Sequence, residues 1–469
     1  MENFNFWDSE VWGSFNLVAL LLTSLLLANS LKKLIPILKR SLIPSSVLGG
    51  LILLFASIFY EAKTGKNMFN ASFFGGNGAA TLEILTYHCL ALGFIATSFK
   101  PSSNKFSKQR TREIFDTGVS TVATYLLQGV LGLGISITAA LISGKIFSAS
   151  GVLLPFGYGQ GTGQALNYGN IYENDFGFIG GRSFGLTIAA LGFLSAAIGG
   201  VIYLNLLRRK HPEYNWNPEE RTEALKLDDI QSSDEIPMNG SIDKLTMQLI
   251  LVFLAYLLAY AVMAILGKYV ASLRSILFGF NFLLGVLMTE LIVLINNFLM
   301  KKKIVKRQHI NGFLMTRLSG FFFDIMIVAG VAAIRINVLA DYWVLIVVLG
   351  IVGAVSTYLY CRFICKTLFP SYADAQFLAT YGMLTGTAST GIILLRELDP
   401  DFKTPASENL VFQNFPAMVF GFPIMLLAML APVKPVLTLI ICFAFFAVMN
   451  VILFRKQIRS FIRKSKKAK

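Results

Sequence analysis

Apolar residues in this chain fall in runs of about 20, the length a helix needs to cross a bilayer's hydrocarbon, with short basic or glycine-rich stretches between them. Stretches such as Leu245 to Leu266 do not alternate, which excludes the in-out pattern of an outer-membrane barrel strand. The pattern predicts an all-α polytopic membrane protein of about eleven helices. They lie near 12–31, 42–60, 81–99, 117–141, 178–207, 245–267, 273–299, 313–334, 342–368, 409–430 and 434–454. After the fifth, the stretch 208–244 is hydrophilic, carries Pro212, Pro218 and Pro237 with mixed charges, and holds too few apolar residues to bury a core. It reads as a cytoplasmic linker between a first repeat, 12–207, and a second, 245–430, followed by an extra helix and basic tail over 431–469. Five spans before the linker mean that the second half enters the membrane with the opposite orientation.

Composition agrees: 55% of residues are hydrophobic and 14% charged, where a soluble domain has about a quarter charged. The net charge of +15 would suggest nucleic acid in a soluble chain, but most of the 41 Lys and Arg flank hydrophobic spans. There they set orientation, so no nucleic-acid partner is expected. The basic loops 32–41, 100–116, 208–244 and 300–312 and the tail from Arg455 fall on one side. The positive-inside rule then places the N-terminus outside and the C-terminus in the cytoplasm, in a bacterial inner membrane with lipid as the surrounding partner. The opening MENFNFWDSEVW is acidic and has no small-residue cleavage site, so the first span is expected to be retained. Four Cys and three His show no ligand spacing. No HExxH or P-loop occurs, so neither a cofactor nor catalytic residues are expected, and the chain is read as no enzyme.

Two glycine-rich stretches interrupt the pattern at matching places, each after the fourth span of its half: 148–169, around PFGYGQGTGQALNYG, and 371–395, around YGMLTGTASTG. They are too polar for lipid-facing helices and too apolar for ordinary loops, and are read as re-entrant hairpins. Non-helical backbone at membrane depth is tolerated only where protein buries it or a wet cavity adjoins it. Half-helix N-termini there can face an anion, and unwound carbonyls a cation. Gly161-Thr162 and Gly386-Thr387 stand at similar distances before Glu173 and Glu397, an internal echo of inverted repeats. Close helix packing by small residues is the competing reading.

With these residues in view, IPSSVLGGLILL at 43–54, PFGYGQGTGQALNYGNIYENDFGF at 155–178 and the second hairpin resemble the bacterial sodium/glutamate symporter family, over most of 12–430. The resemblance implies inverted five-helix repeats, a homodimer, Na+-coupled symport of glutamate, and an elevator motion of the domain that carries both hairpins. Gly159, Gly161, Thr162 and Gly163 fit the first-hairpin pattern G-x-G-T-G. With Gln164, Gly386, Thr387, Ser389 and Thr390 they become candidate substrate residues. Gln160 stands where family members carry His, and LTGTASTG departs from the glycine-richer second hairpin of the family.

Ionisable residues inside spans are expensive and default to functional candidates. Asp324, halfway along 313–334, is the leading candidate for a cation ligand, with a pair to Arg317 as the structural alternative. Arg182, just after the first hairpin, could hold a substrate carboxylate through its fork or anchor the interface. Gln128 and the pair Gln413-Asn414 supply uncharged donors and acceptors at membrane depth as candidate ion ligands, or simply hold helices together. A secondary transporter is thus expected, of glutamate or of another organic anion such as a dicarboxylate or hydroxycarboxylate; a channel is the reading from another class.

Overall fold

The computed structural model describes residues 5–40, 42–99, 107–211, 235, 242–270, 274–279, 281–399 and 403–458. Most of the expected linker (212–234 and 236–241), the loop 100–106 and the end of the basic tail (459–469) lie outside the described residues. The principal helices are α1 (Ser9–Leu34), α2 (Ser45–Thr64), α3 (Gly78–Ser98), α4 (Lys108–Ser143), α5 (Leu153–Phe176), α6 (Gly181–Lys210), α7 (Lys244–Tyr269) and α8 (Asn281–Lys301). They continue with α9 (Gly312–Ala332), α10 (Trp343–Leu368), α11 (Ala373–Leu384), α12 (Ala388–Leu398), α13 (Ala406–Phe412), α14 (Asn414–Leu430) and α15 (Pro435–Leu453). Among the described residues the strand-like pairing is an isolated bridge between Glu235 and Gln308.

Ten helices among the described residues are long and apolar enough to cross a membrane, and the chain is a multi-pass membrane protein. The remaining expected span, 409–430, is a bent pair in which α13 and Pro416–Leu430 meet at 49°. Pro416 explains the break, because proline brings no N–H to the preceding turn and its ring crowds that turn's carbonyl.

The chain divides into two compact units, each gathered from separated segments. The first takes residues 1–27, 49–104 and 223–333, hence most of α1 and α2 together with α3 and α7–α9. Small residues let its helices approach. A Cβ on Gly93 of α3 would lie 2.5 Å from the Phe323 ring of α9, and one on Gly50 of α2 would lie 2.6 Å from Val331. Thr97 and Ser319 join their hydroxyls across the same α3–α9 contact at 2.6 Å. At the start of α7 the Lys244 side chain, 1% exposed, pairs with Glu235 at 2.7 Å. Asn311 Nδ2 donates to the same carboxylate oxygen at 2.6 Å. The charge is therefore buried with a partner and a second hydrogen bond, the condition under which burial is tolerated.

The second unit takes residues 28–48, 105–222 and 334–469. Its axis is α4, whose 36 residues span about 54 Å at 1.5 Å per residue and pack against α5, α10, α14 and α15. Near the start of α4, Asp116 is paired with Arg455, just beyond α15, at 2.7 Å. Both glycine-rich stretches lie in this unit.

Candidate functional site: two broken helices meeting at their tips

The first glycine-rich stretch is one helix, α5, interrupted at Gly161. There φ is 78° and ψ −167°, a region that essentially only glycine occupies. In an unbroken helix Phe156 and Tyr168 would be about 18 Å apart along the axis. Their rings instead stack with centroids 4.0 Å apart, so the arms on either side of Gly161 lie side by side. The first arm ends in carbonyls with no partner of their own helix. One of them, Gly159 O, accepts from Tyr125 Oη of α4 at 3.0 Å.

The second stretch forms α11 and α12, joined through Thr385, Gly386 and Thr387. A Cβ on Gly382 would lie 2.8 Å from Gly391 Cα, and one on Gly391 would lie 2.4 Å from Ala379 O. The arms thus double back with backbone nearly touching backbone, which small residues permit. At the open end, Tyr372 Oη donates to Glu113 of α4 at 2.8 Å, and Asp374 is held by Arg362 at 2.9 Å and by Tyr203 Oη at 2.5 Å.

The two breaks come together. A Cβ on Gly161 would stand 3.0 Å from Thr387 Cγ2 and 3.6 Å from Gly386 O. The buried Phe193 ring of α6 fills the corner, close to both Gly161 and Gly386. Thr387 and Thr390 face each other at 3.4 Å. From α4, Gln128 Nε2 donates to Thr357 Oγ1 at 2.9 Å and to Leu384 O at 3.0 Å. One face of α4 carries Thr117, Thr121, Thr124 and Gln128, all buried, at the three- and four-residue spacing of a helical stripe. Thr121 Oγ1 donates to Gln413 Oε1, and Gln413 Nε2 donates to Met383 Sδ at 2.6 Å. Three buried amide atoms have no hydrogen-bond partner among the described residues: Gln164 Nε2, three residues past the Gly161 break, Gln128 Oε1, and Asn409 Oδ1 of α13, whose Nδ2 donates to Gln376 and Tyr372 toward the open end of the second segment. A buried donor and acceptor without partners cost of the order of 1–3 kcal/mol each, and each suits a ligand of opposite character.

Gly159, Gly161, Thr162, Gly163, Gln164, Gly386, Thr387 and Thr390 are therefore on the two broken segments of one unit, with Gln128 and Gln413 joined to the second of them. The side chain of Ser389 lies outside the described ones. Asn414 is half-buried at the start of α14. Arg182 is elsewhere on the unit: its backbone N–H donates to Glu173 at 3.1 Å and Nη2 to Asn174 at 3.2 Å, eleven and twelve residues beyond Thr162 at the far end of the arm. Asp324 is exposed midway along α9 in the first unit, whereas every other candidate belongs to the second. Arg317 packs over the Phe313 ring, 4.9 Å from its centroid.

The chain also places residues here that the sequence reading passed over. Tyr125 and Phe193 look like core in an apolar run. The threonine stripe that ends at Gln128 was legible as a polar face on an otherwise apolar helix.

A multi-pass membrane protein with two helices broken at glycine inside one unit is the class that fold and site define. Residues 13–395 match the sodium/glutamate symporter family, and the chain belongs to it. Membership supports Na+-coupled glutamate transport for this chain, with Na+ as the co-transported ion. The match covers most of the expected 12–430 and ends within α12, so α13–α15 lie beyond it. No curated protein matches the sequence.

Proposed function

We propose that the chain takes up glutamate with Na+ at the junction of the two broken helices, by an elevator-type movement of the unit that carries them. The observation that carries this reading is the approach of Gly161 to Gly386 and Thr387. Two unwound segments at one point offer what a zwitterionic anion and a cation need together. The second arms, starting at Thr162 and Ala388, direct helix N-termini toward carboxylates, and Gln164 Nε2 adds a donor. Gln128 Oε1, on the amide whose Nε2 donates to Leu384 O, supplies acceptor oxygen for Na+ or for the substrate ammonium, as unwound helices do in other carriers. Thr162, Thr387, Ser389 and Thr390 complete the substrate set, while Gln413 and Asn414 join Gln128 toward the ion. Asp324 serves as a further cation ligand, and Arg182 as a clamp on the end of the first hairpin.

In this reading the two segments are re-entrant hairpins of inverted repeats, 12–207 and 245–430. The protein works as a homodimer in the inner membrane, with the N-terminus outside and the C-terminus in the cytoplasm. Coupling follows if only the Na+-loaded junction is complete enough to hold glutamate. The test is uptake of labelled glutamate into proteoliposomes under an inward Na+ gradient, with a matched K+ gradient in parallel. Uptake with Na+ alone, competed by unlabelled glutamate, is the expected result. Uptake with both ions would overturn the coupling. Failure with glutamate but Na+-driven uptake of a dicarboxylate would transfer the site to that other anion. Loss of uptake in Thr162→Val and Thr387→Val is expected, and full transport by both would remove the hairpin tips from the site.

A further inference from the structure

The unit that carries the broken helices also holds an apolar cavity. Between α6 and α10 runs a slot of about 570 Å³, walled by α6 from Leu191 to Ile202 and by α10 from Val347 to Leu359. Its floor is Tyr158, from the first arm of α5, and Tyr381, from α11, so each broken segment contributes one ring. The polar atoms on that floor are already engaged. Tyr158 Oη donates to Gly350 O at 2.7 Å and lies 3.0 Å from Ser195 Oγ, and Tyr381 Oη donates to Ser195 O at 2.8 Å. Tyr358 adds a third ring from α10, and the exposed lining is almost wholly apolar, a surface suited to hydrocarbon rather than to a polar substrate.

The slot follows the helices. Leu191 to Ile202 rises about 17 Å, close to one leaflet's share of a hydrocarbon core about 30 Å thick. Its rims, among them Ile198, Ile351 and Leu359, are strongly exposed apolar residues on two membrane-crossing helices, so it opens sideways onto hydrocarbon rather than at a helix end. A volume of about 570 Å³ over about 17 Å leaves a cross-section of the order of 30 Å², enough for a polymethylene chain and too narrow for a helix 10–12 Å across.

We propose that this slot holds one acyl chain of a membrane phospholipid, seated against Tyr158 and Tyr381 and hence against both broken helices. Tyr158 is hydrogen-bonded to both walls, at Gly350 O of α10 and Ser195 Oγ of α6, and Tyr381 to Ser195 O of α6, so a chain between those walls sets how α6 and α10 stand against the two segments. Bilayer composition thereby acts on the transporting unit at a place distinct from its polar junction.

The experiment uses the full chain in proteoliposomes containing a phosphatidylcholine with a photoactivatable diazirine in one acyl chain, followed by peptide mapping. Adducts are expected to concentrate on the slot residues of α6 and α10 and on Tyr158 and Tyr381, several-fold above Leu206 and Phe363 on the same helices outside the slot. Ala354→Phe, which fills the slot from α10, and Ile198→Trp, which fills it from α6, should each lower the slot adducts several-fold and leave those at Leu206 and Phe363 unchanged. The outside adducts thus report that each variant is folded. Adducts no denser in the slot than outside it, adducts unchanged by both variants, or crosslinks to a second protein chain at these residues would overturn the proposal. Because the readout is lipid attachment, its result is independent of whether glutamate is the substrate.

Discussion

Gly161 and Thr387 are 226 residues apart in sequence, yet a methyl group on the glycine would stand 3.0 Å from the threonine Cγ2. Two penalties follow for Gly161→Ala. The backbone at φ 78° and ψ −167° strains any residue with a Cβ by about 1–3 kcal/mol, and the methyl presses the second tip away. Uptake should fall to background, and the melting temperature should drop. The double variant Gly161→Ala, Thr387→Ser removes the clashing methyl and leaves the strain. It should stay inactive if backbone geometry dominates, and recovery of transport would assign the defect to the clash.

Tyr125 satisfies the Gly159 carbonyl, and its ring occupies the space beside that glycine, where a Cβ would be 2.0 Å from Cε1. Tyr125→Phe keeps the ring and leaves a buried carbonyl unpaired, which should cost about 1–3 kcal/mol, read as a lower melting temperature with uptake reduced but present. Gly159→Val cannot be accommodated without moving the ring and should abolish uptake. Equal behaviour of the two variants would contradict this account.

The unpartnered amide atoms of Gln164 and Gln128 separate the two ligands. Gln164→Leu removes a donor and should raise the KM for glutamate at saturating Na+ by tenfold or more. Gln128→Leu removes an acceptor, and also the hydrogen bonds to Thr357 and Leu384, and should act mainly on the Na+ concentration for half-maximal uptake. Titrating each ligand at fixed excess of the other distinguishes these effects, and a reversed pattern would exchange the assigned roles.

Lys244 and Glu235 form a buried pair at the start of α7. Glu235→Ala leaves the ammonium buried without its counter-charge, which costs about 3–5 kcal/mol when such a pair is broken from one side. A large fall in thermal stability is expected, and Lys244→Met, Glu235→Met should restore much of it, because an apolar pair carries no desolvation penalty. A double variant as unstable as the single one would show that packing rather than charge is at stake.

Much of the architecture was legible before any coordinates, because twenty-residue apolar runs leave the backbone little choice but helix in hydrocarbon. Ten of the eleven expected spans are single helices long and apolar enough to cross a membrane, whereas 409–430, read as one helix, bends before Pro416. The glycines of GYGQGTG and the Gly386-Thr387 pair also announced where helices would be interrupted, since they permit backbone that other residues resist. The alternation of spans and loops did not reveal how distant segments gather: Asp324, chosen for the cost of a charge at membrane depth, belongs to one unit, and the broken helices belong to the other.

Local chemistry therefore accounts for helix, span and break, each governed by interactions within a turn or between chain and solvent. The meeting of Gly161 with Thr387, the seat of Phe193 between them and the turn of Gln128 toward Leu384 depend on contacts between residues far apart in the chain. Such contacts form when whole helices pack, and a side chain's partner is then set by rotation and depth of its helix against neighbours whose own sequence carries no mark of the pairing.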